Sequence, residues 1–223
     1  MKIGIFDSGH GGRYALVLCQ SALPQHQFIG FFDHKNAPYG DKKADEVYEL
    51  TKAGMNNLFD QKCKLVLIAC NTASSRGLRR LQESNPGKEI LGCLVPAVQS
   101  AIERGGRRLG VLATQHTVDT KKYPREAFKV DPLVKTFPLA TPKLVPWIEA
   151  GQHESDKCRA YLRQHIQILI ENQQIDTLIL GCTHYHVFKS WAQQQFPTLN
   201  IISSAEAQAE KLVDYLARHP ELK

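Results

Sequence analysis

Leu65-Val66-Leu67-Ile68-Ala69 runs straight into Cys70-Asn71-Thr72, and farther along Leu178-Ile179-Leu180 runs into Gly181-Cys182-Thr183-His184. Each apolar run is too short for a helix and lacks the polar alternation of a half-exposed strand. Both therefore read as parallel strands buried on two faces. Working outward, six more runs share this character: Ile3–Phe6, Phe28–Phe32, Ile90–Leu94, Leu109–Ala113, Val134–Phe137 and Leu199–Ile202. Amphipathic segments lie between them. Leu162, Ile166, Leu169 and Ile170 mark one helical face, and Ala205, Ala209, Leu212, Val213 and Leu216 mark another. Ser203 and Glu206 have the spacing of a capping box opening the latter helix. Strands alternating with helices predict an α/β fold with parallel sheets.

The pattern also repeats in outline. Ile3–Phe6 leads through Asp7-Ser8-Gly9 to Leu65–Ala69 and Cys70; Leu109–Ala113 leads through Thr114-Gln115 to Leu178–Leu180 and Cys182. The economical arrangement is two pseudo-symmetric α/β domains with mainly parallel four-stranded sheets facing a central cleft. Residues 1–95 with 205–223 would form the Cys70 domain and residues 96–204 the Cys182 domain. No Ser/Gly linker or charge run marks the boundary near Val95–Pro96.

The chain has 223 residues, 43% hydrophobic and 22% charged, which suits a soluble globular protein rather than a disordered one. No apolar run approaches the roughly 20 residues that span a bilayer. Met1-Lys2-Ile3-Gly4-Ile5-Phe6-Asp7 reads as the start of a buried strand rather than a signal peptide, so the expected location is the cytoplasm. Cys19, Cys63, Cys70, Cys93, Cys158 and Cys182 form no CxxC pair and no zinc spacing. They read as reduced thiols, with Cys19 and Cys93 as small core residues. The net charge of +6 raises an anionic partner. The clusters Arg76/Arg79/Arg80 and Arg104/Arg107/Arg108 lack the interleaved aromatics of a base-stacking platform. They read as solvated faces, and nucleic acid is not expected as a partner.

In open parallel sheets, ligands gather outside the carboxyl ends of the strands. Four polar signatures sit there: Asp7-Ser8-Gly9, Cys70-Asn71-Thr72, Thr114 and Cys182-Thr183-His184. A free thiol with a pKa of about 8.5 is only slightly ionised at neutral pH. The N-terminus of a helix following each cysteine is expected to favour the thiolate. Asn71, Thr72 and Thr183, with nearby backbone N–H groups, suit a carboxylate.

Five segments together carry a family likeness: Ile5-Phe6-Asp7-Ser8-Gly9, Ala37-Pro38-Tyr39-Gly40, Ile68-Ala69-Cys70-Asn71-Thr72-Ala73-Ser74, Leu144-Val145-Pro146 with Glu149, and Leu180-Gly181-Cys182-Thr183-His184-Tyr185. In this order they resemble the glutamate racemases of the aspartate/glutamate racemase superfamily. The resemblance implies a cofactor-independent, metal-free isomerase that inverts glutamate between two cysteines, supplying D-glutamate for peptidoglycan. One thiolate would remove the α-proton while the opposite thiol delivers another. It places Asp7 near Cys70, and His184 and Glu149 near Cys182, as aids to proton traffic. Asp7, Ser8, Pro38, Tyr39, Gly40, Asn71, Thr72 and Thr183 correspond to substrate-holding positions, joined by Thr114 and Thr117. Family members often dimerise, so a homodimer is implied as well.

Several positions depart from the family pattern. His10 stands where a small apolar residue is usual, Arg13-Tyr14 replaces a Leu-Thr or Leu-Ser pair, and His186 replaces proline. His10, His34 and His186 show no metal-ligand spacing. Two alternatives stay open. One is an aspartate or other amino-acid racemase of the superfamily, against which Thr183-His184 argues. The other is a non-catalytic binding protein using the basic surface, against which the two intact cysteines argue.

Overall fold

The structure is a computed structural model and describes residues 1–222. The chain runs β1 (Lys2–Asp7), α1 (Gly12–Ala22), β2 (Gln27–Phe32), α2 (Ala44–Asp60), β3 (Leu65–Ile68), α3 (Asn71–Glu83) and β4 (Glu89–Leu91). It continues with α4 (Leu94–Glu103), β5 (Arg108–Ala113), α5 (Gln115–Asp119), α6 (Lys122–Val130), β6 (Lys135–Ala140) and α7 (Leu144–Glu149). The last elements are α8 (Asp156–Gln173), β7 (Thr177–Gly181), α9 (Lys189–Gln195), β8 (Asn200–Ser203) and α10 (Ser204–Arg218).

Two four-stranded sheets form, ordered β2-β1-β3-β4 and β6-β5-β7-β8, and every pairing is parallel. The orders are the same, so the repeat legible in outline is a repeat of topology. In each sheet the central strands carry connections leaving in opposite directions. The carboxyl ends of β1 and β3, and of β5 and β7, are therefore switch points where a crevice opens. Asp7 and Cys70 stand at the first, Thr114 and Cys182 at the second.

Both faces of each sheet are covered, which is why the central strands read as unbroken apolar runs. Ile3, Ile5, Leu65 and Leu67 pack with Ala15 and Cys19 of α1 and with Ala205, Ala209, Leu212 and Leu216 of α10. On the opposite face, Phe6, Val66 and Ile68 meet Val47, Met55 and Leu58 of α2 and Leu81 of α3. In the second sheet, Leu112, Leu178 and Leu180 pack with Leu162, Ile166 and Leu169 of α8. Its other face sets Leu109, Val111 and Ile179 against Ala97, Val98 and Ala101 of α4. The final helix thus returns to the first sheet; Lys223 lies outside the described residues.

Four expectations change. The fourth strand, read as Ile90–Leu94, ends at Leu91 because Leu94 already opens α4, and Val95–Pro96 lies in its first turn, where proline forfeits no helical hydrogen bond. The strand read as Val134–Phe137 instead continues to Ala140 through Pro138. It is an edge strand with β5 as its sole neighbour, so the missing N–H can face outward. The capping box at Ser203 does not form: Ser203 Oγ pairs with His186 Nδ1 at 3.0 Å, and Glu206 turns to Lys189. Finally, Cys182 is followed by a short 3-10 turn, Thr183–Phe188, rather than an α-helix.

Four of the six clustered arginines form local ion pairs. Arg79 pairs with Glu83, Arg80 with Asp45, Arg104 with Glu210 and Arg107 with Asp131. Among the described residues no helix is long and apolar enough to cross a membrane.

Candidate active site

A cleft of about 400 Å³ lies between the carboxyl ends of the two sheets. Ser8, Pro38, Tyr39, Gly40, Cys70, Asn71, Thr72, Thr114, Glu149, Cys182, Thr183 and His184 line it, so strand-end residues from both halves meet there. Asp7 and Thr117 stand behind the wall, 0% and 1% exposed.

On the first half, Cys70 caps α3, its Sγ accepting the Ala73 backbone N–H at 3.5 Å. Ser8 Oγ lies 3.1 Å from the same sulfur. Burial pushes the thiol up to about 11, and the Asp7 charge adds to the rise; the Ser8 and backbone hydrogen bonds lower it without winning. The helix start does favour the thiolate at Cys70, through the Ala73 N–H, but burial outweighs it, because one turn of aligned N–H groups does not replace the lost water. Cys182 has no α-helix behind it, and burial drives its thiol still higher.

On the second half, Cys182 Sγ lies 3.8 Å from His184 Nδ1, and His184 Nε2 is 2.5 Å from Glu149 Oε1. Glu149 ends α7, and its carboxylate reaches the 3-10 turn that carries His184. Burial alone would raise Glu149; the hydrogen bonds and charges of His184 and His10 outweigh it and hold it below the usual carboxylate range.

Asp7 joins the halves. Its Oδ1 accepts the Gly9 N–H at 3.0 Å and its Oδ2 accepts the Thr183 hydroxyl at 3.1 Å. Burial lifts this carboxyl to about 6, against the opposing effects of His184, Gly9, Thr183 and Gly12. The group that touches Cys70 is Ser8, while the Asp7 side chain reaches across to the Cys182 side. Gly11 permits this approach: a Cβ there would lie 2.4 Å from Thr183 Oγ1 and 2.8 Å from His184 N.

Other bonds cross the cleft floor. Thr72 Oγ1 meets Thr114 Oγ1 at 3.1 Å, and Thr114 Oγ1 meets Thr117 Oγ1 at 3.0 Å. The Asn71 side chain is committed to structure, donating to Ser204 Oγ at 3.1 Å and accepting from the Tyr123 hydroxyl at 2.7 Å. Tyr39 donates to Asp33 Oδ2 at 2.7 Å, so its ring forms wall while its hydroxyl is occupied. The hydroxyls of Ser8, Thr72, Thr114, Thr141 and Thr183 are short polar groups at the cleft.

Sequence reading missed Thr141, Pro142, Val145, Pro146 and Tyr185 as lining. Thr141 follows the last residue of β6, so a strand read through Pro138 would have placed it at a carboxyl end. All six cysteines are free and buried, and among the described residues no His/Cys/Asp/Glu group could hold a metal ion.

Residues 18–212 match the family model for Asp/Glu/Hydantoin racemase. A glutamate racemase from Ruegeria pomeroyi is 35% identical over 239 aligned positions, covering 100% of this chain and 88% of that protein. Among solved structures, glutamate racemase isoform RacE1 from Bacillus anthracis superposes with a TM-score of 0.91 at 29% identity, covering 97% of this chain and 82% of that one. A glutamate racemase from Francisella tularensis, solved with D-glutamate, gives 0.89 at 26% identity over 99% of this chain and 82% of its own.

Proposed function

The chain belongs to the Asp/Glu/hydantoin racemase family and is an isomerase, and from that premise we propose that it interconverts L- and D-glutamate with Cys70 and Cys182 as opposed acid and base. The observation that carries this reading is that the two buried thiols line one cleft from different halves of the molecule. Each has its own polar partner, Ser8 for Cys70 and His184 for Cys182.

Racemisation needs a base on one face of Cα and an acid on the other. Both thiols rest protonated at neutral pH, so one must lose its proton before it can act. On the second half, Glu149 accepts the Nε2–H of His184 and leaves Nδ1 free to take the Cys182 proton. On the first half, Ser8 can relay the Cys70 proton. The buried Asp7 carboxyl at about 6 can exchange a proton near neutrality and senses both thiols. The thiolate then takes the α-proton, charge develops on Cα and spreads into the α-carboxylate, and the opposite thiol reprotonates Cα. Hydroxyls of Ser8, Thr72 and Thr114, with the N–H groups opening α3, are the donors for that carboxylate.

The same reading assigns residues 1–95 with 205 onward to one domain and 96–204 to the other. The packing of α10 on β1 and β3 and of α4 on β5 supports that division. The product would serve peptidoglycan synthesis in the cytoplasm, as the family likeness implies.

The test is incubation with L-glutamate in D2O without added cofactor, following optical rotation and α-deuteration, with L-aspartate in parallel. Inversion of glutamate that Cys70→Ser or Cys182→Ser abolishes is expected. Absence of exchange with glutamate would refute the proposal, and preferential turnover of aspartate would reassign the substrate.

A further inference from the structure

Glu149 has two carboxylate oxygens, and both are taken. Oε1 accepts from His184, while Oε2 lies 2.5 Å from Nδ1 of His10, in the loop between β1 and α1. His10 is one of the residues that leave the family pattern, so this contact belongs to this chain's own sequence. Its ring is braced by His34, 4.1 Å away between centroids, from the 3-10 turn that follows β2. The contact spans the cleft mouth, because His10 and His34 belong to the first half and Glu149 to the second. The His10 side chain is 59% exposed and Glu149 33%, so the contact is no packing element of the core.

We propose that His10 is a positioning residue for the Cys182 side of the reaction: by holding Oε2 it fixes the carboxylate that orients His184 toward the Cys182 sulfur. The proposal rests on the two-thiol reading above. A carboxylate tied through one oxygen can still rotate about its terminal bond, and a second donor removes that freedom. With Glu149 fixed, the neutral imidazole of His184 keeps its proton on Nε2 and presents the Nδ1 lone pair to sulfur. With Glu149 loose, both tautomers become accessible and one of them cannot accept the thiol proton. The charged and titratable groups around the pair are His184, His34, Arg13 and Asp33. His10 also helps hold Glu149 ionised, against the burial that would raise it.

The test compares wild type with His10→Ala and His10→Asn, since asparagine sets a neutral N–H donor near the position of imidazole Nδ1. One readout is kcat and KM for glutamate across pH; the other is the 15N tautomer signature of His184 and the carboxyl titration of Glu149 by NMR. His10→Ala is expected to lower kcat/KM about three- to tenfold, the scale of a partly exposed charge-assisted pair. The loss should fall mainly in kcat, with the acid limb moved to higher pH and a mixed His184 tautomer. His10→Asn should recover most of the rate and the Nε2–H tautomer. A wild-type rate and acid limb in His10→Ala, or no difference between the two variants, would overturn the proposal and leave the racemase reading standing. Should wild type not turn over glutamate, the racemase reading falls, and NMR still decides: an unchanged His184 tautomer and Glu149 titration in His10→Ala overturns the positioning role, and a changed one supports it.

Discussion

Asp7→Asn should stabilise the protein at neutral pH while removing its activity. Asp7 ends β1 with no exposed surface, and burial lifts its carboxyl from 3.8 to about 6. The folded chain therefore holds this proton more tightly than the unfolded chain does. Below the unfolded pKa both states are protonated and the site costs nothing. The cost grows as pH rises from 3.8 to about 6 and is complete above that. A shift of about two units at 1.36 kcal/mol each amounts to about 3 kcal/mol. Asparagine removes the titration and keeps the shape, since Oδ1 still accepts the Gly9 N–H and the amide can donate to the Thr183 hydroxyl. The unfolding free energy of the variant minus that of wild type should therefore rise by about 2–3 kcal/mol between pH 4 and pH 7.5, or roughly 5–8 °C in Tm for a chain of this size. Urea unfolding across that range measures it, with equal m-values required. A difference that does not change with pH would refute the reasoning, because the carboxyl would then titrate as it does in the unfolded chain. Racemisation should fall about 100-fold or more, the ordinary cost of losing a proton-transfer partner; a destabilising group retained at the site is consistent with a working one.

Without substrate, Cys70 should be alkylated by iodoacetamide at a rate that climbs about tenfold per pH unit from pH 7 to pH 10, because its thiol sits at about 11. A rate that levels off above about pH 9, read by peptide mass spectrometry, would show an ordinary thiol instead. Gly11→Ala pushes a methyl group against Thr183 Oγ1 and His184 N, so α1 must back away from the Cys182 side. A loss of about 1–3 kcal/mol in thermal unfolding and a lower kcat/KM are expected, and wild-type values in both would contradict the close approach. Tyr123→Phe strips the donor from Asn71 Oδ1 in a buried setting and should cost about 1–3 kcal/mol in urea unfolding. A loss below about 0.5 kcal/mol would mean that water replaces the phenol there.

Most of the fold was legible because both-sided burial writes parallel strands as plain apolar runs, and Cys70 and Cys182 announce themselves by ending two of them. Local chain properties carried that much: the succession of strands and helices within each repeat, the polar residue at each strand end, and the family likeness. What needed neighbours was not legible. Pro138 reads as a strand breaker until β6 is known to be an edge, and Ser203 reads as a cap until His186 is found beside it. The pKa of Cys70 depends on how much water burial removes, which no helix start in the sequence reports. Asp7 reaching Thr183, and His10 reaching Glu149, are contacts between residues more than a hundred positions apart. The sequence by itself determined which residues stand at the ends of the strands, because backbone pattern is local. Only the tertiary structure decided which of them share a proton, because that depends on where the two halves meet.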